Sequence, residues 1–256
     1  MKKILVISDM HIGKRVSLMP DEVTLDQNER KMRIQSNDIQ KKIYKKWEEM
    51  VDEVGRVDAV INLGDTCDGT NRKSQGTGLW TTDINLQMET AKNLLSMVKS
   101  SRIIGVQGSY YHVGDNLSSD KSVVESLGGT FGDELAVVVE GKRIHACHDI
   151  GVSSSGLAYR TTPIAQQMMV AALNPEYKNF SLIIRGHAHY YVRVSFANTT
   201  GLICPCWSGR DEFVARRSLA WNPHMGYVVL SVGDNIVVEP HIFTLKGKDL
   251  VKEVNV

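Results

Sequence analysis

The sequence predicts a mixed α/β sandwich, and three observations lead there. Short runs of nearly continuous apolar, β-branched residues recur along the chain, as expected of strands covered on both faces. In the first half they alternate with segments of helical periodicity. In the second half strand-like runs dominate, so two sheets with helices outside them account for the pattern.

The elements follow in order. "KILVIS" (3–8) reads as a first buried strand. Ile39, Ile43, Trp47, Met50, Val51 and Val54 then recur at helical spacing, with Asn37 as N-cap and Gly55 as terminator. Lys41, Lys42, Lys45 and Lys46 fall mostly on the wet face of that helix. "VDAVINLGD" (57–65) is a second strand, 70–81 a loop, and Ile84, Met88, Ala91, Leu95 and Val98 mark a second helix. "RIIGVQG" (102–108) is a third strand. "LAVVVEGKRIHACH" (135–148) reads as two strands joined by a tight turn at Gly141-Lys142. Thr162 caps a helix with Pro163 at its first position, running to about Leu173. Five further strands are expected in "FSLIIRG", "YVRVSFA", "GLICPC", "GYVVLSV" and "NIVVEPHIFTL".

The chain's 256 residues suit one domain, 1–256, with a substantial core. A net charge of +1 and a pI near 7.7 provide no global field toward nucleic acid or an anionic membrane. No apolar run approaches the ~20 residues of a membrane span. "MKKILVISDMHIG" is too short in its apolar run and lacks an A-x-A-like cleavage site, so it reads as a strand, not a leader. Four cysteines make no disulfide framework in a chain of this size, and a reducing cytoplasm is the expected compartment.

Carboxylates and imidazoles gather where the strands end. The first strand ends in Asp9-Met10-His11, the second in Gly64-Asp65-Thr66-Cys67-Asp68 and the third in Gly108-Ser109-Tyr110-Tyr111-His112. The second strand of the hairpin ends in His148-Asp149, and "LIIRGHAH" ends in His187 and His189. Taken singly, most of these fit a cap, an Asx-turn or a core histidine. Two imidazoles on one short turn resist a packing explanation, and the joint occurrence points to a metal site. His145, His224 and His241 are expected to be structural, as is the Cys204-Pro205-Cys206 segment, which lacks a second pair at zinc-finger spacing.

The order "DMH" (9–11), "GDTCD" (64–68), His148 and "GHAH" (186–189) resembles the signature of the calcineurin-like metallophosphoesterase superfamily. The resemblance spans residues 9 to 189 and four of its five motifs. It implies a sandwich of two mixed β-sheets flanked by helices (α/β/β/α), a dinuclear metal centre and hydrolysis of phosphate esters by metal-bound hydroxide. In that pattern Asp9, His11 and His189 hold one metal, Asp65 bridges, and His148 and His187 hold the second. Asp68 is expected to orient an imidazole from behind. Imidazole and carboxylate suit borderline divalent ions; manganese is expected, and the ligand set also admits Fe, Zn, Co or Ni.

The third motif departs from the pattern, since "GSYYH" stands where the family has Gly-Asn-His. It is similar to a variant of phage and prophage members. Ser109 occupies the asparagine position and His112 is displaced by two residues. His112 is read as the general acid; the competing readings make it a ligand of the second metal, or leave that site weak. Arg160 precedes a helix start and either meets a phosphate or is solvated. Tyr110 and Tyr111 either stack on a base or wall the cleft, and Arg216-Arg217 is a local basic pair. A phosphodiesterase acting on a nucleotide or nucleic acid (nuclease-like chemistry) leads this reading. A phosphomonoesterase or protein phosphatase follows, then a non-catalytic binding subunit on the same fold. The near-neutral charge favours a small or single-stranded substrate, or charge supplied by a partner subunit, and the reading also admits a homo-oligomer.

Overall fold

The computed structural model describes residues 1–27, 30–71, 75–113, 118–150, 159–177, 179–196, 198–210 and 222–245. Arg216 and Arg217 lie outside them, as does part of the 70–81 loop. In chain order the elements are β1 (Lys2–Ile7), β2 (Glu22–Gln27), β3 (Arg30–Gln35), α1 (Asp38–Val54), β4 (Ala59–Asn62), α2 (Ile84–Ser96) and β5 (Ile103–Val106). Then come α3 (Tyr110–Val113), α4 (Ser119–Ser126), β6 (Thr130–Gly132), β7 (Glu134–Val139), β8 (Lys142–Cys147) and α5 (Thr162–Leu173). The chain continues through β9 (Leu182–Arg185), β10 (Val192–Phe196), β11 (Thr199–Ile203), β12 (Met225–Val232) and β13 (Ile236–Phe243).

Two mixed sheets form the body. One has the order β13-β12-β1-β4-β5-β6, with β1, β4, β5 and β6 parallel. The other has the order β10-β11-β9-β8-β7, with β8, β9 and β11 parallel. Three apolar layers show how they stack. Leu5, Ile7, Ile43, Trp47 and Leu94 join the first sheet to α1 and α2. Ile4, Val6, Ile61, Ile144, Ile184 and Leu202 fill the space between the sheets. Ile164, Met168, Ile183 and Ile203 join α5 to the second sheet. This is the expected α/β/β/α order, and alternate residues of β1 supply two of the layers. No described helix is long and apolar enough to cross a membrane.

Local differences have local causes. Asn37 closes a capping box with Gln40, which is buried at 1% exposure, whereas Ile39 is 44% exposed. The cap thus turns Gln40 inward, displacing Ile39 from the apolar face expected of it. The hairpin turn is centred on Glu140 and Gly141, both at positive φ, and Lys142 already belongs to β8. Thr161, not Thr162, occupies the N-cap of α5, without a side-chain cap bond. The β2–β3 hairpin, α3, α4 and β6 were not anticipated from periodicity.

Candidate metal centre

The parallel strands β1, β4 and β5 end beside the parallel strands β8 and β9 of the facing sheet, and the five ends deliver the site residues together. The loops after β1 and β4 zip together: Asp9 N–H donates to Gly64 O (3.0 Å), His11 N–H to Asp65 O (2.9 Å) and Asp68 N–H to Ile12 O (2.8 Å). Among the described residues nine non-glycine positions have positive φ, and Asp9, His11, Asp65, His187 and His189 are five of them. Such conformations cost about 1–3 kcal/mol each and survive where surrounding structure enforces them, commonly at working sites. Gly64 enforces part of it: at φ +88°, a Cβ there would lie 2.7 Å from Gly108 N.

His11, His148 and Asp9 each have one polar atom committed to the protein behind it and another turned inward. His11 Nδ1 bonds Asp68 Oδ1 (3.0 Å), which leaves Nε2 facing His189 Nε2 at 3.0 Å and Asp9 Oδ1 at 3.7 Å. His148 Nδ1–H donates to Leu63 O (2.6 Å), so its Nε2 faces Asp65 Oδ2 (3.1 Å) and His187 Nδ1 (3.2 Å). Asp9 Oδ2 accepts from Ser8 Oγ and from His187 N–H, while Oδ1 lies 3.2 Å from His189 Nε2. A carbonyl can only accept, so the neutral His148 ring keeps its lone pair on the inward nitrogen. Inward donor atoms facing one another at such distances fit a cation between them.

Those atoms fall into three groups, each with all members within 4.8 Å of one another: Asp9, His11 and His189; His11, Asp65 and His112; and Asp65, His148 and His187. Asp65 belongs to two of the three. The first and third groups contain the residues that the resemblance assigns to the two cations; Asp65 belongs to the third and, in the second, meets His11 of the first. His112 groups with His11 and Asp65 and shares no group with His148 or His187.

Burial and opposite charge set the protonation. Burial would raise the Asp9 carboxyl, but His189, His11 and His148 hold it well below the usual range. Burial likewise opposes ionisation of Asp65 and Asp68, yet His148 depresses the first, and His11, His112 and Lys14 the second. Burial disfavours a charged His148, but Asp65, Asp9 and the Leu63 carbonyl push its pKa up to about 10. His187 is lowered, by burial and then by His148. Of the candidate ligand imidazoles, His148 and His189 are the ones made more basic despite burial, by groups that include the carboxylates beside them.

The remaining candidates have defined places. Ser109 clasps Asp65: its N–H donates to Oδ1 (2.7 Å) and its hydroxyl lies 3.1 and 3.0 Å from the two carboxylate oxygens. His112 Nδ1 lies 3.0 Å from Asp68 O and 3.1 Å from Asp68 Oδ1, so Asp68 holds both His11 and His112. The Tyr111 ring meets His112 edge-on at 4.9 Å, and its hydroxyl donates to Asn71 (2.8 Å). Arg160 lies over the Tyr190 ring, 5.1 Å from its centre, one residue beyond His189. Cys204, Cys206 and Cys67 are buried, and burial pushes the Cys67 thiol well above its usual value. His145 bonds Glu134 and Arg185, and His241 stacks on Tyr227.

Sequence reasoning missed two supports, Asp120 and Lys14, and named a third, His224, only as structural. Asp120, fully buried, accepts from Thr66 N–H and Gly108 N–H (both 2.9 Å) and ties together the loops carrying Asp65 and Ser109. His224 braces the His189 turn: its N–H donates to His189 O (2.9 Å) and its Nδ1 accepts from Tyr191 N–H (3.0 Å). Lys14 Nζ lies 3.2 Å from Asp68 Oδ1. Only Lys14 had a visible signal, its place three residues past His11 on the same loop.

Compared by sequence, the chain matches no family model and no curated protein. By structure it is similar to a double mutant of Vps29 from Entamoeba histolytica, at 13% identity and a TM-score of 0.51, covering 94% of this chain and 99% of that one. It is similar to a novel archaeal phosphodiesterase to the same extent, with 13% identity, a TM-score of 0.50 and the same coverage. The fold is the calcineurin-like metallophosphoesterase sandwich.

Proposed function

From a chain with the calcineurin-like metallophosphoesterase fold, we propose a metal-dependent phosphodiesterase with two divalent cations, manganese first among them, acting on a nucleotide or nucleic-acid diester. Asp9, His11 and His189 would hold one cation, His148 and His187 the other, and Asp65 both. The observation that carries this reading is the two-sided commitment of the ligands: His11 and His148 each bond protein through Nδ1 and turn Nε2 inward, toward carboxylate oxygens. When bound, such a pair lowers the pKa of water and neutralises phosphoryl oxygens.

The chain's own groups do the rest. Asp68 fixes the His112 ring through Nδ1, which leaves Nε2 to hold and deliver a proton to the departing oxygen. Asp68 and Asp65 also keep His112 more basic than an ordinary imidazole despite its burial, as a proton donor at neutral pH requires. Ser109, spent on Asp65, orients that carboxylate and does not replace the amide oxygen of the family's asparagine. The position of His112 beside His11 favours the acid role over that of a ligand to the second cation.

Purified protein, chelated and then reloaded with manganese, should cleave bis-p-nitrophenyl phosphate faster than p-nitrophenyl phosphate. Asp65→Asn should lose at least about 100-fold in kcat, since that carboxylate belongs to the group with His148 and His187 and also groups with His11. A preference for the monoester would move the assignment to a phosphomonoesterase. Tight metal binding without turnover of either ester would move it to a binding subunit.

A further inference from the structure

We infer that Lys14 is a positioning residue of this centre, acting through Asp68 on His112; the inference rests on the hydrolase reading above. Lys14 stands on a braced turn. Its N–H donates to His11 O (3.1 Å), and its carbonyl accepts from Ser17 Oγ (3.0 Å) and Gln40 Nε2 (3.1 Å). Gln40 is the inward-turned member of the α1 capping box, so the start of that helix fixes where the lysine emerges. The Lys14 side chain is 13% exposed and the Asp68 side chain is wholly buried.

One oxygen of Asp68 carries all the charged partners. Oδ1 lies 3.0 Å from His11 Nδ1, 3.1 Å from His112 Nδ1 and 3.2 Å from Lys14 Nζ. Oδ2 is buried with no hydrogen-bond partner among the described residues. Nothing on the far side of the carboxylate therefore sets its plane; the three contacts at Oδ1 do. Two of these are imidazoles that would otherwise compete for one acceptor. The ammonium holds that oxygen in place, so it can serve both rings. Without it, the carboxylate is free to turn, and the fork from His112 Nδ1 shrinks to its bond with Asp68 O. The ring that presents a proton to the leaving group is then free to tilt and to exchange tautomers.

The test uses Lys14→Met, which keeps the stem and removes the charge, with Lys14→Arg as the conservative variant. Imidazole 15N shifts of His112 are read in the chelated full-length chain, at a pH where that ring is neutral. Wild type and Lys14→Arg should show one tautomer, protonated on Nδ1, and Lys14→Met an averaged signal. In the manganese-loaded proteins, Lys14→Met should lose about 10–100-fold in kcat on a diester with an alkoxide leaving group. It should lose far less with p-nitrophenolate, which departs without a proton, and Lys14→Arg should recover most of the loss. If Lys14→Met does not fold, Lys14→Gln takes its place in both measurements. Unchanged His112 shifts, or equal losses on the two esters, would overturn the role of Lys14. A wild type inactive on every diester would overturn the hydrolase reading instead, and the 15N shifts would still judge the lysine.

Discussion

At the scale of single residues, the centre depends on which nitrogen of each imidazole is free. His11 and His148 have theirs settled by Asp68 Oδ1 and Leu63 O, and His112 by the Asp68 carbonyl and carboxylate. His112 differs in one respect: it lies beside both Asp65 and His11 without being needed to complete either outer ligand group. His112→Ala should therefore leave about two metals per chain by elemental analysis, the number a dinuclear site holds. Turnover of a diester with an alkoxide leaving group should fall by about 100-fold or more, within the range for loss of a general acid. Loss of one metal equivalent would make His112 a ligand. The gathering of these side chains was legible because aspartate and histidine beside glycine at strand ends have few other uses in combination. The positive φ at Asp9 and His11 was not legible, since no adjacent glycine marks them; tertiary backbone hydrogen bonds to the Gly64 and Asp65 carbonyls hold those turns.

At the scale of elements, the strand ends are held in register by groups that no side-chain pattern reveals. Asp120 comes from the first turn of α4, yet its partners are the backbone N–H groups of Thr66 and Gly108. Its burial raises its pKa, as does nearby Asp65, while these donors favour the ionised form. Asp120→Asn exchanges one acceptor for an N–H₂ that meets a backbone N–H head-on. A buried donor left without an acceptor costs about 1–3 kcal/mol. Urea denaturation should show a loss of that size, with manganese binding weakened because Asp65 and Ser109 lose their common brace. Undiminished stability would mean that the two loops hold themselves. The same limit applies elsewhere. β1, β4, β5, β8 and β9 were legible from apolar runs, and α1 from its cap and period. The β2–β3 hairpin offers only Val23 and Leu25 against Met32 and Ile34, too few apolar positions among charges to register as alternation.

At the scale of the whole molecule, two sheets bring together carboxylates and imidazoles that are stable there only with compensating positive charge. In the metal-free chain that charge is protonic: His148 is raised from 6.5 to about 10, and His189 is raised well above 6.5. A group whose pKa is raised on folding stabilises fully below its unfolded value and loses that contribution as pH climbs through the folded one. The lowered carboxylates Asp9 and Asp65 act oppositely, contributing above their ordinary 3.8 and losing the contribution as pH falls. Metal-free protein should therefore be most stable between about pH 4 and pH 6.5, and from there to about pH 9 should lose on the order of 2–3 kcal/mol from His148 alone. Cations binding the same inward atoms displace those protons, so their stabilisation must grow over the same interval. Urea midpoints near pH 6 and pH 9, with and without manganese, should diverge at the higher pH. Calorimetry in buffers of different ionisation enthalpy should register net proton release on metal binding at the lower one. Metal-free stability that is flat across this range would show that the imidazoles are not the carboxylates' counter-charge, and the convergence of the five strand ends would then need another cause.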